Sequence, residues 1–119
     1  MRHALLAALV AVALAWSTVA VAQEQAPNRR DFTIVARGQS FTPNRIEVSQ
    51  DDLVKITFTS EDQPTSFAID AYRIVKRAAG GQTIGFEFRA DQAGTFTFYC
   101  NLSEERCQDM KGTLVVKAK

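Results

Sequence analysis

Three sulfur-bearing side chains, Cys100, Cys107 and Met110, fall within one short segment near the C-terminus, CNLSEERCQDM. Two thiolates and a thioether are soft donors, and Cu(I), a soft cation, takes such a set without any imidazole. The same two cysteines can instead close a disulfide across the segment, the default state of paired thiols in an oxidising compartment. The two readings exclude one another, because only thiolates bind the metal and oxidation removes them. A lone methionine usually fills a gap in a core. Met110 counts as a candidate ligand because every sulfur beyond residue 22 lies between Cys100 and Met110. Glu104 and Glu105 offer oxygen donors to a harder metal, but a Ser-Glu-Glu-Arg run in a loop reads as solvated. A nucleophile–base or paired-carboxylate arrangement cannot be assembled: the one His is His3, and nothing signals a cleft. No enzyme activity is expected.

Whether those cysteines meet an oxidising compartment is decided at the N-terminus. Arg2 and His3 make a short basic region, Ala4 to Trp16 is unbroken apolar sequence, and Ala20-Val21-Ala22 has the small-x-small pattern of a signal-peptidase cut. The apolar run is short for a bilayer span and polar residues follow it. Residues 1–22 are therefore expected to be a signal peptide, and the mature protein periplasmic or secreted, with no membrane attachment. Cleavage removes His3, Trp16 and Met1, leaving no imidazole and Met110 as the sole methionine. It also removes one of the 14 Lys+Arg, which then equal the 13 Asp+Glu in number. Balanced charge argues against a nucleic-acid or anionic-membrane partner. What remains is enough for one small domain, expected to be a monomer.

The elements that must position the sulfurs are strands. Gln23 to Arg30, QEQAPNRR, is polar and reads as a flexible leader (23–30); the domain is expected over 31–119. From Asp31 the dominant period is two. Phe32, Ile34 and Ala36 alternate with polar or outward positions, as do Val54, Ile56 and Phe58, then Ile84, Phe86 and Phe88, then Phe96, Phe98 and Cys100, and finally Leu114 and Val116. Each run predicts a strand with one buried face. Turn chemistry separates them at Gly38-Gln39-Ser40, Ser49 to Asp52, Glu61 to Pro64, Gly80-Gly81 and Asp91 to Gly94. All eight Phe lie in this region, enough volume to fill the space between two sheets. Only Ser103 to Met110 has helical character, a turn or two. The fold class expected is all-β, a single-domain sandwich of seven or eight short strands.

Three stretches resemble the cupredoxins: FTPNRIEVSQDDLVKITFTSED from Phe41, TSFAID from Thr65, and GTFTFYCNLSEERCQDMKGTLVV from Gly94. The resemblance implies a Greek-key β-sandwich in which the last stretch is a strand ending in the copper cysteine, a ligand loop and the final strand. It also implies where ligands should stand, and here the chain departs from the pattern. A blue-copper centre takes two His and one Cys with a weak axial Met. Thr65 stands where the family has His before Ser-Phe, and Cys107 where the loop should supply the second His. The spacing Cys107-x-x-Met110 is like the His-x-x-Met of the binuclear copper domain of cytochrome oxidase, but that domain's two bridging cysteines would fall at Tyr99 and Ser103. A blue-copper electron carrier is excluded on ligands.

In the relatives the positions of Cys100 and Cys107 converge on a metal, so the resemblance implies that they lie close together here. The leading expectation is a cupredoxin-like protein that binds or handles Cu(I) through Cys100, Cys107 and Met110. The alternative is a metal-free interaction module with a Cys100–Cys107 disulfide. Cupredoxin-like domains also accompany exported iron-uptake components, which implies a protein partner in copper or iron handling. Thr65 and Ser66 are poor ligands, and their hydroxyls are expected to be buried and hydrogen-bonded.

Overall fold

A computed structural model describes residues 28–119; the expected signal peptide (1–22) and residues 23–27 of the leader lie outside the described residues. Nine strands are formed: β1 (Arg29–Arg37), β2 (Ser40–Thr42), β3 (Arg45–Ser49), β4 (Leu53–Ser60), β5 (Thr65–Ile69), β6 (Ile74–Ala78), β7 (Thr83–Arg89), β8 (Gly94–Tyr99) and β9 (Lys111–Lys117). They make a four-stranded sheet, β2-β1-β4-β7, and a five-stranded sheet, β3-β9-β8-β5-β6. The fold is the all-β sandwich expected, with nine strands where seven or eight were expected. β1 starts at Arg29, inside the 23–30 leader, because Arg29 and Arg30 pair with Leu53 and Val54 of β4. Arg29 also meets Glu87 at 2.8 Å, and Arg30 meets Asp52 at 3.4 Å.

The alternating residues face the gap between the sheets. Ile34, Ala36, Val54, Ile56, Phe58, Phe98, Leu114 and Val116 are buried, with Phe41 and Phe67 filling the centre. Phe67 stacks on Phe98 at 4.9 Å and meets Phe58 and Phe86 at 5.6 Å; Phe41 lies edge-on to Phe67 and Phe98. These tilted and offset pairs are the arrangements aromatic quadrupoles favour. Phe32, Ile84, Phe88 and Phe96 lie nearer the rim and are half-buried.

Two features of the strands matter for the site. All five residues of β5 are buried, on both faces of the strand. It lies between β6 and β8, with the core on one side, and Ser66 bonds to Asn101 of the loop after β8. The second is Gly112, at the start of β9, buried in phase with Leu114 and Val116. A Cβ there would sit 2.2 Å from the Phe98 ring and 2.8 Å from the Asn44 carbonyl. Only glycine lets β9 close over Phe98 there, and this holds the end of the sulfur-bearing loop against the core.

Candidate functional site

The three sulfur residues occupy one end of the five-stranded sheet. β8 ends at Tyr99, so Cys100 is the first residue beyond the ladder, and β9 resumes at Lys111, one residue after Met110. The intervening segment folds back on itself through its backbone. The Cys100 N–H donates to the Met110 carbonyl at 3.1 Å, Met110 N–H to the Cys107 carbonyl at 3.1 Å, and Cys107 N–H to the Glu104 carbonyl at 3.0 Å. One 3-10 turn, Glu105–Cys107, is all that forms of the helical turns expected over Ser103 to Met110. Cys100, Cys107 and Met110 are thereby brought together, and all three are buried.

Cys100 and Cys107 are joined as a disulfide, their Cα atoms 5.2 Å apart. That separation lies in the usual range for a disulfide. Ser66, on the neighbouring β5, has its hydroxyl 3.7 Å from Cys100 Sγ; it donates to Asn101 Oδ1 at 2.6 Å and accepts from the Asn101 N–H at 2.7 Å. The Thr65 hydroxyl donates to the Gln63 carbonyl at 3.0 Å and lies 3.1 Å from Ser60 Oγ. Both hydroxyls are buried and hydrogen-bonded, as expected of them.

Sequence reasoning missed Arg106. Within the run read as solvated, Ser103, Glu104 and Glu105 are exposed, but the Arg106 side chain is only 13% exposed. The 3-10 turn swings it inward beside Cys107. Its Nη1 lies 3.5 Å from Thr65 Oγ1 and 4.0 Å from Cys107 Sγ. Its Nη2 donates to the Pro64 carbonyl and stands 3.3 Å from the exposed carboxylate of Glu104. Its Nε is buried with no hydrogen-bond partner. No pattern in the sequence signals this placement, since an Arg next to a Cys in a loop has no period to orient it.

Outside the sulfurs runs an open groove lined by Asp70, Tyr99, Leu102, Gln108 and Lys111. Tyr99 donates its hydroxyl proton to Asp70 Oδ1 at 2.8 Å. That hydrogen bond, reinforced by partial desolvation and the Asp70 charge, holds the Tyr99 hydroxyl above the ordinary tyrosine value.

The donor chemistry decides which metal the site fits. A blue-copper set does not fit, because no imidazole stands among the described residues, and the hydroxyl at position 65 already bonds to Gln63. Among the described residues no three His, Cys, Asp or Glu side chains converge as metal ligands. In the disulfide form neither cysteine can ligate. The reduced form is different: two thiolates and a buried thioether suit Cu(I). Beside Cys107, the largely buried guanidinium of Arg106 suits a centre of net negative charge.

The family model described as the cupredoxin-like domain matches residues 6–116. No curated protein matches the sequence. Among solved structures, auracyanin A, a "blue" copper protein from Chloroflexus aurantiacus, superposes with a TM-score of 0.65 at 20% identity, covering 76% of this chain and 100% of its own. Auracyanin from Roseiflexus castenholzii gives 0.63 at 17% identity, covering 75% of this chain and 98% of its own. The copper nitrite reductase of Nitrosomonas europaea gives 0.66 at 18% identity over 77% of this chain, but only 42% of its own. At these identities the structures establish the fold alone. With the family model spanning nearly the whole sequence, the chain belongs to the cupredoxin-like domain family.

Proposed function

We propose that this is an exported, monomeric Cu(I)-binding protein whose site is opened by reduction of the Cys100–Cys107 bond. Cys100, Cys107 and Met110 would hold the ion; Cu(I) bound there would be stored or passed to a protein partner in copper or iron handling. Long-range electron transfer is not its role, for lack of the imidazoles that make a blue centre. The observation that carries this reading is that Cys100, Cys107 and Met110 are all buried on one loop folded back on itself, with the Arg106 guanidinium 4.0 Å from Cys107 Sγ. The family relation supports copper as the metal, and the disulfide supports an oxidising compartment. Among the described residues no helix is long and apolar enough to cross a membrane. Export is checked by intact mass, which should show a chain beginning at Gln23.

The test is a thiol count on the isolated protein, followed by a Cu(I) competition titration after reduction. The isolated protein should be mostly disulfide-bonded and metal-free. Once reduced it should bind one Cu(I), at least ~10-fold more weakly in Cys100→Ser or Cys107→Ser, and with a smaller loss in Met110→Leu, as thiolate and thioether ligands differ. A reduced protein that competes no better than the double Cys→Ser variant rules the copper reading out. The second reading then stands, a metal-free interaction module stapled by its disulfide; the closed Cys100–Cys107 bond is the observation that favours it.

A further inference from the structure

In the disulfide state Arg106 bonds to the Pro64 carbonyl and the Thr65 hydroxyl, but meets no charge on the sulfur side. Its side chain is nearly buried, its one ionic partner is the exposed Glu104, and its Nε donates to nothing. A buried cation with an unmet N–H is unfavourable unless a partner charge offsets it. The disulfide sulfur at 4.0 Å from Nη1 is neutral and supplies no such charge. A Cu(I) ion held by two thiolates and a thioether supplies one, since a single positive charge against two negative ones leaves a net charge of minus one. At such a separation, in a site of low dielectric, a unit positive charge favours that complex strongly.

We propose that Arg106 is the counter-cation of the Cu(I)-loaded site, a positioning residue that touches a ligand sulfur and balances the charge of the complex. The inference rests on the Cu(I) reading above and adds to it a fourth participant, one that is not a ligand. It also accounts for the guanidinium lying beneath Pro64 and Thr65 while the other charged side chains of the loop face solvent.

The experiment compares the reduced wild-type protein with Arg106→Gln and Arg106→Lys in the same Cu(I) competition titration. Unfolding of the three disulfide forms serves as the check that each variant folds. Arg106→Gln keeps hydrogen-bond donors and loses the charge, so its Cu(I) affinity should fall by ~10-fold or more, equivalent to about 1.4 kcal/mol. Arg106→Lys keeps the charge and should recover most of that loss, which a purely structural role would not produce. If Arg106→Gln binds as tightly as wild type, the counter-cation role is overturned while the Cu(I) reading stands. An equal loss in both variants also overturns it, because charge was then not the quantity lost. If the reduced wild type does not outcompete its double Cys→Ser variant, the Cu(I) reading itself fails and takes the inference with it.

Discussion

Reducing the protein should lower its stability by an amount set by the length of one loop, and Cu(I) should restore it. Cys100 and Cys107 are separated by 7 in sequence. Closing a loop that short removes chain entropy from the unfolded state worth about 2.5 kcal/mol at room temperature. For a domain of this size, 1 kcal/mol moves the midpoint by roughly 4–8 °C, so reduction should lower the unfolding temperature by about 10–20 °C. Cu(I) bound only by the folded, reduced state stabilises by mass action, about 2.7 kcal/mol when free Cu(I) is buffered at 100 times its Kd. The two magnitudes nearly match, so copper should return almost all of the lost midpoint. The assay is thermal unfolding of three samples: oxidised, reduced, and reduced with buffered Cu(I). A midpoint that does not move on reduction would refute the staple argument. A midpoint that falls and stays down with Cu(I) present would refute the copper site and leave the metal-free module.

Replacing both Thr65→His and Cys107→His puts imidazoles where the family carries them, beside Cys100 and Met110, so Cu(II) should give an intense blue band that the wild-type protein lacks; a colourless double variant would show that the positions do not correspond. Gly112→Ala should destabilise by ~3 kcal/mol in denaturant unfolding, because its Cβ would lie 2.2 Å from a Phe98 ring that is fully buried; a change under about 1 kcal/mol would mean that the ring can move aside. Asp70→Asn should bring the Tyr99 hydroxyl down toward the ordinary tyrosine value in an ultraviolet titration, since the bond to Asp70 is the largest cause of its elevation. The raised value favours the neutral hydroxyl in the folded state, so its contribution is complete below the unfolded value and is lost as the pH rises through the folded one. The carboxyls of Glu47, Asp51 and Glu61 are held low, chiefly by hydrogen bonds from Arg45, Lys119 and Arg37. Their contribution is present above the ordinary carboxylate range and lost as the pH falls through the lowered values, so acid unfolding should begin below that range, and salt should weaken the effect.

The strands that could be read from the sequence are those with one face in water. β1, β4, β7 and β8 carry their apolar residues at every second position because solvent takes the other side, and that contrast is the signal. β5 was lost for the opposite reason. With Thr65 to Ile69 buried on both faces there is no alternation to find, and only the resemblance of TSFAID marked the segment. β6 failed differently: at the sheet edge, Val75, Lys76 and Arg77 are all exposed, so the pattern collapses into a polar run. β2, at three residues, is too short to show a period at all. The leader was drawn two residues too long because Arg29 and Arg30 look like solvated charge, while their backbones complete the ladder with β4.

That Cys100 and Cys107 lie close together was expected from the resemblance; the chemical state of the pair was left open between a bond and a ligand set. Pairing of β8 with β9 brings the two ends of the loop, Cys100 and Met110, to the same end of the sheet, and the fold of the loop sets Cys107 against Cys100. A Cα separation of 5.2 Å satisfies a disulfide. Two cysteines ligating a common ion also stand close, so proximity alone does not choose between bond and ligand set. What separates the two states is charge. Oxidised sulfurs are neutral and leave Arg106 facing nothing of opposite sign on the sulfur side, whereas a thiolate-held Cu(I) presents a negative centre to it. Sequence carries no trace of that distinction, because the inward turn of Arg106 depends on a single 3-10 turn, Glu105–Cys107. The side chain on which the proposed counter-cation role rests is thus the one whose direction only the folded loop reveals.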